Sequence, residues 1–193
     1  LHVHDAAASL YATASSVLKL QPEDIYWCTA DPGWVTGISY GLVAPLLHGV
    51  TMVVDESEFD PARWYRIIQD ERVTVLYTAP TAIRMLMKAG SRLARSYDLR
   101  SLRLIVSAGE ALSPEAVRWG RQALNLDIHD TWWQTERGSI VIGTGADEDV
   151  SLGLMGRPVA GIEAAIARRH GGGTLEFVEE PNRVGELVLK AGW

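Results

Sequence analysis

Short apolar runs alternate with helix-like stretches along residues 25–131, at intervals of roughly 25–30 residues, and that alternation leaves few folds open. The runs are Ile25–Thr29, Val50–Val54, Val73–Tyr77, Leu102–Val106 and Ile128–Thr131. Between them the spacing predicts helices over Ser39–His48, with Pro45 as a kink or late start, and from Asp60-Pro61 to Glu71. Two more are predicted, over Thr81–Ala89 ended by Gly90 and from Ser113-Pro114-Glu115 to Leu124. The strand cores Val-Thr-Val-Leu and Leu-Ile-Val are nearly continuous in apolar residues, as in strands covered on both faces. The expected class is α/β: βαβ units forming a mostly parallel sheet with helices on both sides.

The flanks read differently. Leu1–His4 has strand character, and Asp5 is placed to cap a helix from Ala6 to about Leu18. After Gly138 the predicted strands Ser139–Ile142, Glu163–Ala167, Thr174–Val178 and Glu186–Lys190 follow one another through Gly-rich connections without helices. Two regions are therefore expected: an α/β part over residues 1–138 and a β-rich, barrel-edge part over residues 139–193. Both ends look cut, so the chain is expected to be an internal piece of a longer protein.

Composition removes several function classes. The net charge is −6 and the 18 Lys and Arg residues are scattered, so no basic stripe awaits a nucleic acid. No apolar run approaches the ~18–20 residues of a membrane span. The single cysteine, Cys28, excludes an internal disulfide framework and makes the cytoplasm the default compartment. Its place in mid-strand suits a buried structural thiol. His2, His4 and Asp5 are too few ligands for a metal centre.

Polar residues collect where the proposed parallel strands end, in Thr29–Thr36, Thr78–Thr81, Ser107–Ala111 and Asp130–Glu136. Open α/β sheets bind ligands in the crevice outside those strand ends, so four loops converge by topology alone. Ser107-Ala108-Gly109-Glu110 offers backbone without bulk, which a flat ring or a phosphate can approach. Asp130-Thr131-Trp132-Trp133-Gln134-Thr135-Glu136 offers carboxylates, hydroxyls, an amide and two aromatic walls, with Glu136 as an oxygen ligand for Mg²⁺. Neither a Walker nor a Rossmann glycine pattern is present. A rival reading is a serine α/β-hydrolase, since Gly37-Ile38-Ser39-Tyr40-Gly41 has the nucleophile-elbow spacing and His170–Gly173 resembles an oxyanion string. The elbow needs a strand running straight into Ser39, and the string should precede that serine rather than trail it.

Taken together, these loops resemble the AMP-forming acetyl-CoA synthetases of the adenylate-forming superfamily. The resemblance rests on Asp130–Glu136 with Arg137-Gly138, on Trp27–Gly37, on Tyr77–Arg84 and on Ser107–Leu112. Gly156-Arg157-Pro158 and Gly185-Glu186-Leu187 match later landmarks of the family. The resemblance covers nearly the whole chain. It implies ATP-dependent activation of a short carboxylate, acetate or propionate, to an acyl-adenylate. Transfer to coenzyme A follows, with AMP and pyrophosphate released and Mg²⁺ assisting.

Carried over by position, Gly109, Glu110, Ala111, Asp130, Thr131, Trp132, Gln134 and Thr135 would bind the nucleotide. Thr135 and Glu136 would serve the reaction, Glu136 also holding the metal. Val35, Thr36, Ala108 and Trp133 would form the acyl pocket, with Trp133 limiting acid length, and Ala79 would touch coenzyme A. The family's phosphate loop would precede Leu1 and its catalytic lysine would lie in a later domain, so these residues alone are expected to be inactive. Ala111 stands where the acetate enzymes have Pro, and Arg137 where they have Thr. Those departures keep a second expectation open, a paralogue that binds nucleotide without catalysis.

Overall fold

The computed structural model describes residues 2–190. The chain divides into two compact units, one up to Arg157 and one from Pro158. In the first, β1 (Ile25–Cys28), β2 (Thr51–Val53), β3 (Val75–Thr78), β4 (Leu104–Ser107) and β5 (Ile128–Trp132) form one sheet. Its order is β2-β1-β3-β4-β5, and each of these pairings is parallel. A short strand, β6 (Ile142–Gly143), then pairs antiparallel with β5. The mostly parallel α/β expectation is borne out, and the direction of the order reverses between β1 and β3.

Helices fill the crossovers: α1 (Ala6–Thr13), α2 (Val35–Ile38), α3 (Ala44–His48), α4 (Pro61–Asp70), α5 (Pro80–Ala89), α6 (Ser91–Ala94) and α7 (Pro114–Trp119). α1 and α7 each run on into a wider π turn, and a third π turn, Ser39–Val43, joins α2 to α3 in one unbroken helix. The starts are chemically marked. Asp60 accepts from the Arg63 amide at 2.7 Å and Ser113 from the Ala116 amide at 3.2 Å, each just before a proline.

All four residues of β3 and all four of β4 are buried, because helices cover both faces. On one face Trp27, Leu76, Ile105 and Ile128 pack with Trp64, Ile68, Ile83 and Trp119 from α4, α5 and α7. On the other, Tyr77 meets Tyr40 edge-on at 5.5 Å, which brings the α2–α3 helix against the sheet. A Cβ on Gly41 would stand 3.3 Å from the Cys28 sulfur, so that helix lies as close as side chains permit.

The N-terminal ends of the strands are tied by polar contacts. Asp24, 3% exposed, accepts from Arg103 Nε at 2.9 Å, from Thr74 Oγ1 at 2.7 Å and from the Gln21 amide at 2.8 Å. Burial works to raise its pKa, and the Arg103 guanidinium with the two hydrogen bonds more than offsets it, so the carboxyl titrates below its usual range.

Several local expectations need correction. His2 and Val3 are not in a strand and His4-Asp5 is a turn, while Leu1 lies outside the described residues. Two histidines alternating with apolar residues imitate a strand, but among the described residues no strand pairs with them. Asp5 stands at the start of α1 without making a side-chain cap bond. The second helix starts at Val35 rather than Ser39. Of Ser139–Ile142 only Ile142 enters a strand. Ser139, Ile140 and Val141 are buried without a ladder, and the Ile140 amide donates instead to the Tyr40 hydroxyl at 2.8 Å.

The second unit is a three-stranded antiparallel sheet with Ala164–Arg169 between Leu175–Phe177 and Glu186–Leu189. Ala167 is fully buried in it. A Cβ on Gly185 would come within 2.5 Å of Ile166 Cγ2, which accounts for glycine there.

Candidate functional site

The carboxyl ends of β1, β3, β4 and β5 lie side by side, and two cavities open among their loops. The first, about 540 Å³, is lined by Gly109–Leu112, Asp130–Gln134 and Gly153–Met155. The second, about 460 Å³, opens beside the point where the strand order reverses, where such sheets bind ligands. Its wall is largely apolar: Trp34, Phe59, Trp64, Tyr77, Ala79, Met85 and Ala108 contribute, with Thr36 beside them. Gly109 and Glu110 border both cavities.

In the first cavity the polar groups are held from below. Ser107 Oγ donates to Asp130 Oδ1 at 2.7 Å, and the Thr131 amide donates to the same oxygen at 3.1 Å. Burial raises the Asp130 pKa, and these donors offset only part of that. A carboxylate so placed is suited to accept from amino or hydroxyl groups of a ligand. Gly109, with φ +94°, turns the chain so that backbone rather than side chain faces the opening.

Glu110 bends away to the second cavity's rim, accepting from Thr81 Oγ1 at 2.5 Å and from Arg84 at 2.6 Å. The Thr81 hydroxyl first, and Arg84 second, lower its pKa. This cluster joins the β4 loop to the start of α5. At the floor of the same cavity, Thr29 and Thr78 share a hydroxyl–hydroxyl bond of 2.6 Å across β1 and β3.

Trp132 and Trp133 both line the first cavity. The Trp133 indole N–H donates to the Tyr77 hydroxyl at 3.2 Å, and its ring meets Tyr40 edge-on at 5.1 Å. Thr135, Glu136 and Arg137 form a turn beyond Gln134 in which Thr135 and Glu136 are exposed and Arg137 is half-buried, with the Thr135 carbonyl 2.6 Å from His2 Nε2.

Of the residues read from the sequence as nucleotide-binding, Gly109, Glu110, Ala111, Asp130, Thr131, Trp132 and Gln134 line the first cavity, and Thr135 does not. Thr36, Ala79 and Ala108 meet in the second, whereas Trp133 faces the first and Val35 lines neither. Sequence reading missed Gly153–Met155, which close the first cavity, and the aromatic wall of the second. One signal was available for the former: Gly156, at φ +105°, has no room for a Cβ, which would lie 2.1 Å from the Gly143 carbonyl.

Among the described residues no three His, Cys, Asp or Glu side chains gather as a metal cage. Magnesium asks for less, one or two carboxylates with water and ligand phosphates completing its shell. The exposed Glu136 carboxylate, on the turn next to the cavity residue Gln134, suits that share.

The hydrolase geometry is absent. Ser39 is buried inside the unbroken helix Val35–His48, and no strand leads directly into it. His170, in the second unit, pairs with Glu176 at 2.7 Å. Cys28 is held as an inert thiol, its pKa pushed up to about 11 by burial. None of the described helices is long and apolar enough to cross a membrane.

The sequence is 50% identical over its whole length to an acetyl-coenzyme A synthetase of Bacillus subtilis, and 44% identical over 95% of its length to one of Deinococcus radiodurans. It spans 33% and 28% of those proteins, about a third of their length. A crystal structure of a Brucella canis acyl-CoA synthetase superimposes with a TM-score of 0.85 at 35% identity, covering 95% of this chain and 33% of that one. The sequence profile of the AMP-binding enzymes matches residues 1–192, and the chain belongs to that family.

Proposed function

We propose that this chain forms the acid-pocket and adenine-side walls of an AMP-forming acyl-CoA ligase acting on a short acid, acetate first and propionate next. The observation that carries this reading is the shared wall. A polar, backbone-lined cavity and an apolar one meet at Gly109–Glu110, as they must if a nucleotide and a small acid are to react where they touch. The acetyl-coenzyme A synthetases at 44–50% identity support the choice of acid.

In this reading Gly109–Ala111 lie along the adenine, and Asp130, Thr131, Trp132 and Gln134 orient the nucleotide. Thr135 offers a hydroxyl to the α-phosphate. Glu136 would hold Mg²⁺, which would supply neutralisation of phosphate charge. The acid's carboxylate oxygen attacks the α-phosphorus and pyrophosphate leaves. The thiolate of coenzyme A, arriving past Ala79, then attacks the acyl carbon and AMP leaves. Thr36 and Ala108 bound the acyl group, and Trp133, bonded to the second-cavity residue Tyr77, excludes longer chains from the first-cavity side; Val35, which lines neither cavity, has no part in this reading.

Neither Lys nor Arg lines either cavity among the described residues, although phosphoryl transfer needs positive charge at the developing oxyanions. We infer that these 193 residues do not turn over alone. In the intact protein, acetate-dependent exchange of pyrophosphate into ATP is expected, and its absence with every acid up to butyrate overturns the ligase reading. Exchange by the 193 residues alone overturns the inferred incompleteness. Ala111 and Arg137 favour a second reading, a nucleotide-binding paralogue without catalysis. Calorimetric binding of an acyl-adenylate analogue without any exchange by the intact protein selects it.

A further inference from the structure

Trp133 is the side chain on which acid length depends in the proposed reading, yet little of its own strand holds it. β5 ends at Trp132, and Trp133 is only partly buried. Its support comes from β3. The indole N–H can only donate, so the Tyr77 oxygen accepts at 3.2 Å. The Thr131 hydroxyl donates to the Ser107 carbonyl at 2.7 Å, so its oxygen is left to accept the Tyr77 proton across 3.0 Å. The chain of bonds therefore runs one way, from Trp133 through Tyr77 and Thr131 to the β4 backbone.

Tyr77 is fully buried, and its ring is part of the second cavity's wall while its hydroxyl holds a wall residue of the first. Burial raises its pKa well above the ordinary phenol value, so the proton stays on at any working pH.

We propose that Tyr77 is a positioning residue for acid selection, its hydroxyl fixing the Trp133 indole in the first cavity's wall while Tyr77 itself lines the second. This rests on the ligase reading for its consequence but not for its geometry. A phenylalanine at 77 keeps the ring and removes the acceptor, so Trp133 regains freedom and the wall it forms with residue 77 yields to longer acids.

The test has two arms. In the first, Tyr77→Phe is compared with wild type by following the Trp133 indole N–H, assigned by its loss in Trp133→Phe, in ¹H–¹⁵N spectra of the folded protein. A shifted resonance with hydrogen exchange faster by about fivefold or more, the worth of one net hydrogen bond, is expected. An unchanged indole overturns the proposal whatever the protein catalyses. In the second, the intact protein's kcat/KM for acetate over butyrate is expected to fall about fivefold in Tyr77→Phe with the KM for ATP unchanged. Tyr40→Phe is the control. That hydroxyl also makes two buried bonds, to Thr13 and the Ile140 amide, but none to Trp133. Equal loss of selectivity in both variants means general loosening and overturns the proposal. An intact wild type inactive with every acid removes the ligase reading, and the indole arm still decides the geometry.

Discussion

The two edges of the parallel sheet are built from different chemistry. At the N-terminal edge Asp24 collects a guanidinium, a hydroxyl and an amide, which satisfy its carboxylate within the fold. At the C-terminal edge the corresponding loops carry glycine, small residues and hydroxyls, and two cavities remain between them. The same strands thus start at an internally satisfied charge and end at the two cavities of the proposed site. Stability is concentrated where polar groups are satisfied internally, and recognition where they are left to be satisfied by a ligand.

The two edges can be broken separately. Arg103→Ala removes the cation from a nearly buried carboxylate and should cost about 3 kcal/mol in urea unfolding, while acid preference in the intact protein stays unchanged. A shift in acid preference would show that the edges are coupled. Trp133→Gly should do the reverse. It should admit longer acids, changing the acetate-to-butyrate ratio by roughly 10–100-fold, as one or two methylene groups of discrimination are lost. Unchanged chain-length preference would remove Trp133 from the acid pocket.

The β5 strand carries a pH-sensitive point between the edges. His129 is buried, and burial foremost lowers its pKa, although the Thr144 carbonyl and nearby acids oppose this. A base with a depressed folded pKa stabilises the fold only while neutral. Stability should therefore be full above about pH 6.5 and decline as the pH falls towards the folded pKa, with a slope of at most ~1.4 kcal/mol per pH unit from this group. His129→Gln should flatten that part of the profile in chemical denaturation. The smallest effect is expected at the rim. Glu110→Gln weakens an exposed Thr81–Arg84 cluster and should cost about 0.5 kcal/mol in dilute buffer, less in 1 M salt.

Much of this was legible from residue order. Runs such as Val73–Tyr77 and Leu102–Val106 lie within two residues of β3 and β4, because strands buried on both faces leave a continuous apolar signature. The convergence of four loops followed from parallel topology. The misses have physical causes too. Gly37 is a weak helix former inside Val35–Ile38, yet a Cβ there would lie 2.1 Å from the Asp31 carbonyl oxygen, so the close turn requires glycine. Ile140 and Val141 have strand composition but are buried by contact with Tyr40 and its surroundings, a tertiary fact that local pattern does not carry. Gly153–Met155 read as a connector because closing a cavity demands proximity, not a residue type.

The strand order has a consequence for how the chain is made. β1 sits between β2 and β3, and its partners across β3 come 49 residues later, as in the Thr29–Thr78 bond. On a ribosome adding about 5–20 residues per second, β1 waits on the order of 2–10 s with one edge bare. Within this stretch β2 becomes available before β3, so the edge beside the future second cavity is the last part of β1 to be covered and the first at risk from another chain. Expression at lower temperature or with abundant chaperones should protect this protein at that step, before any substrate site exists.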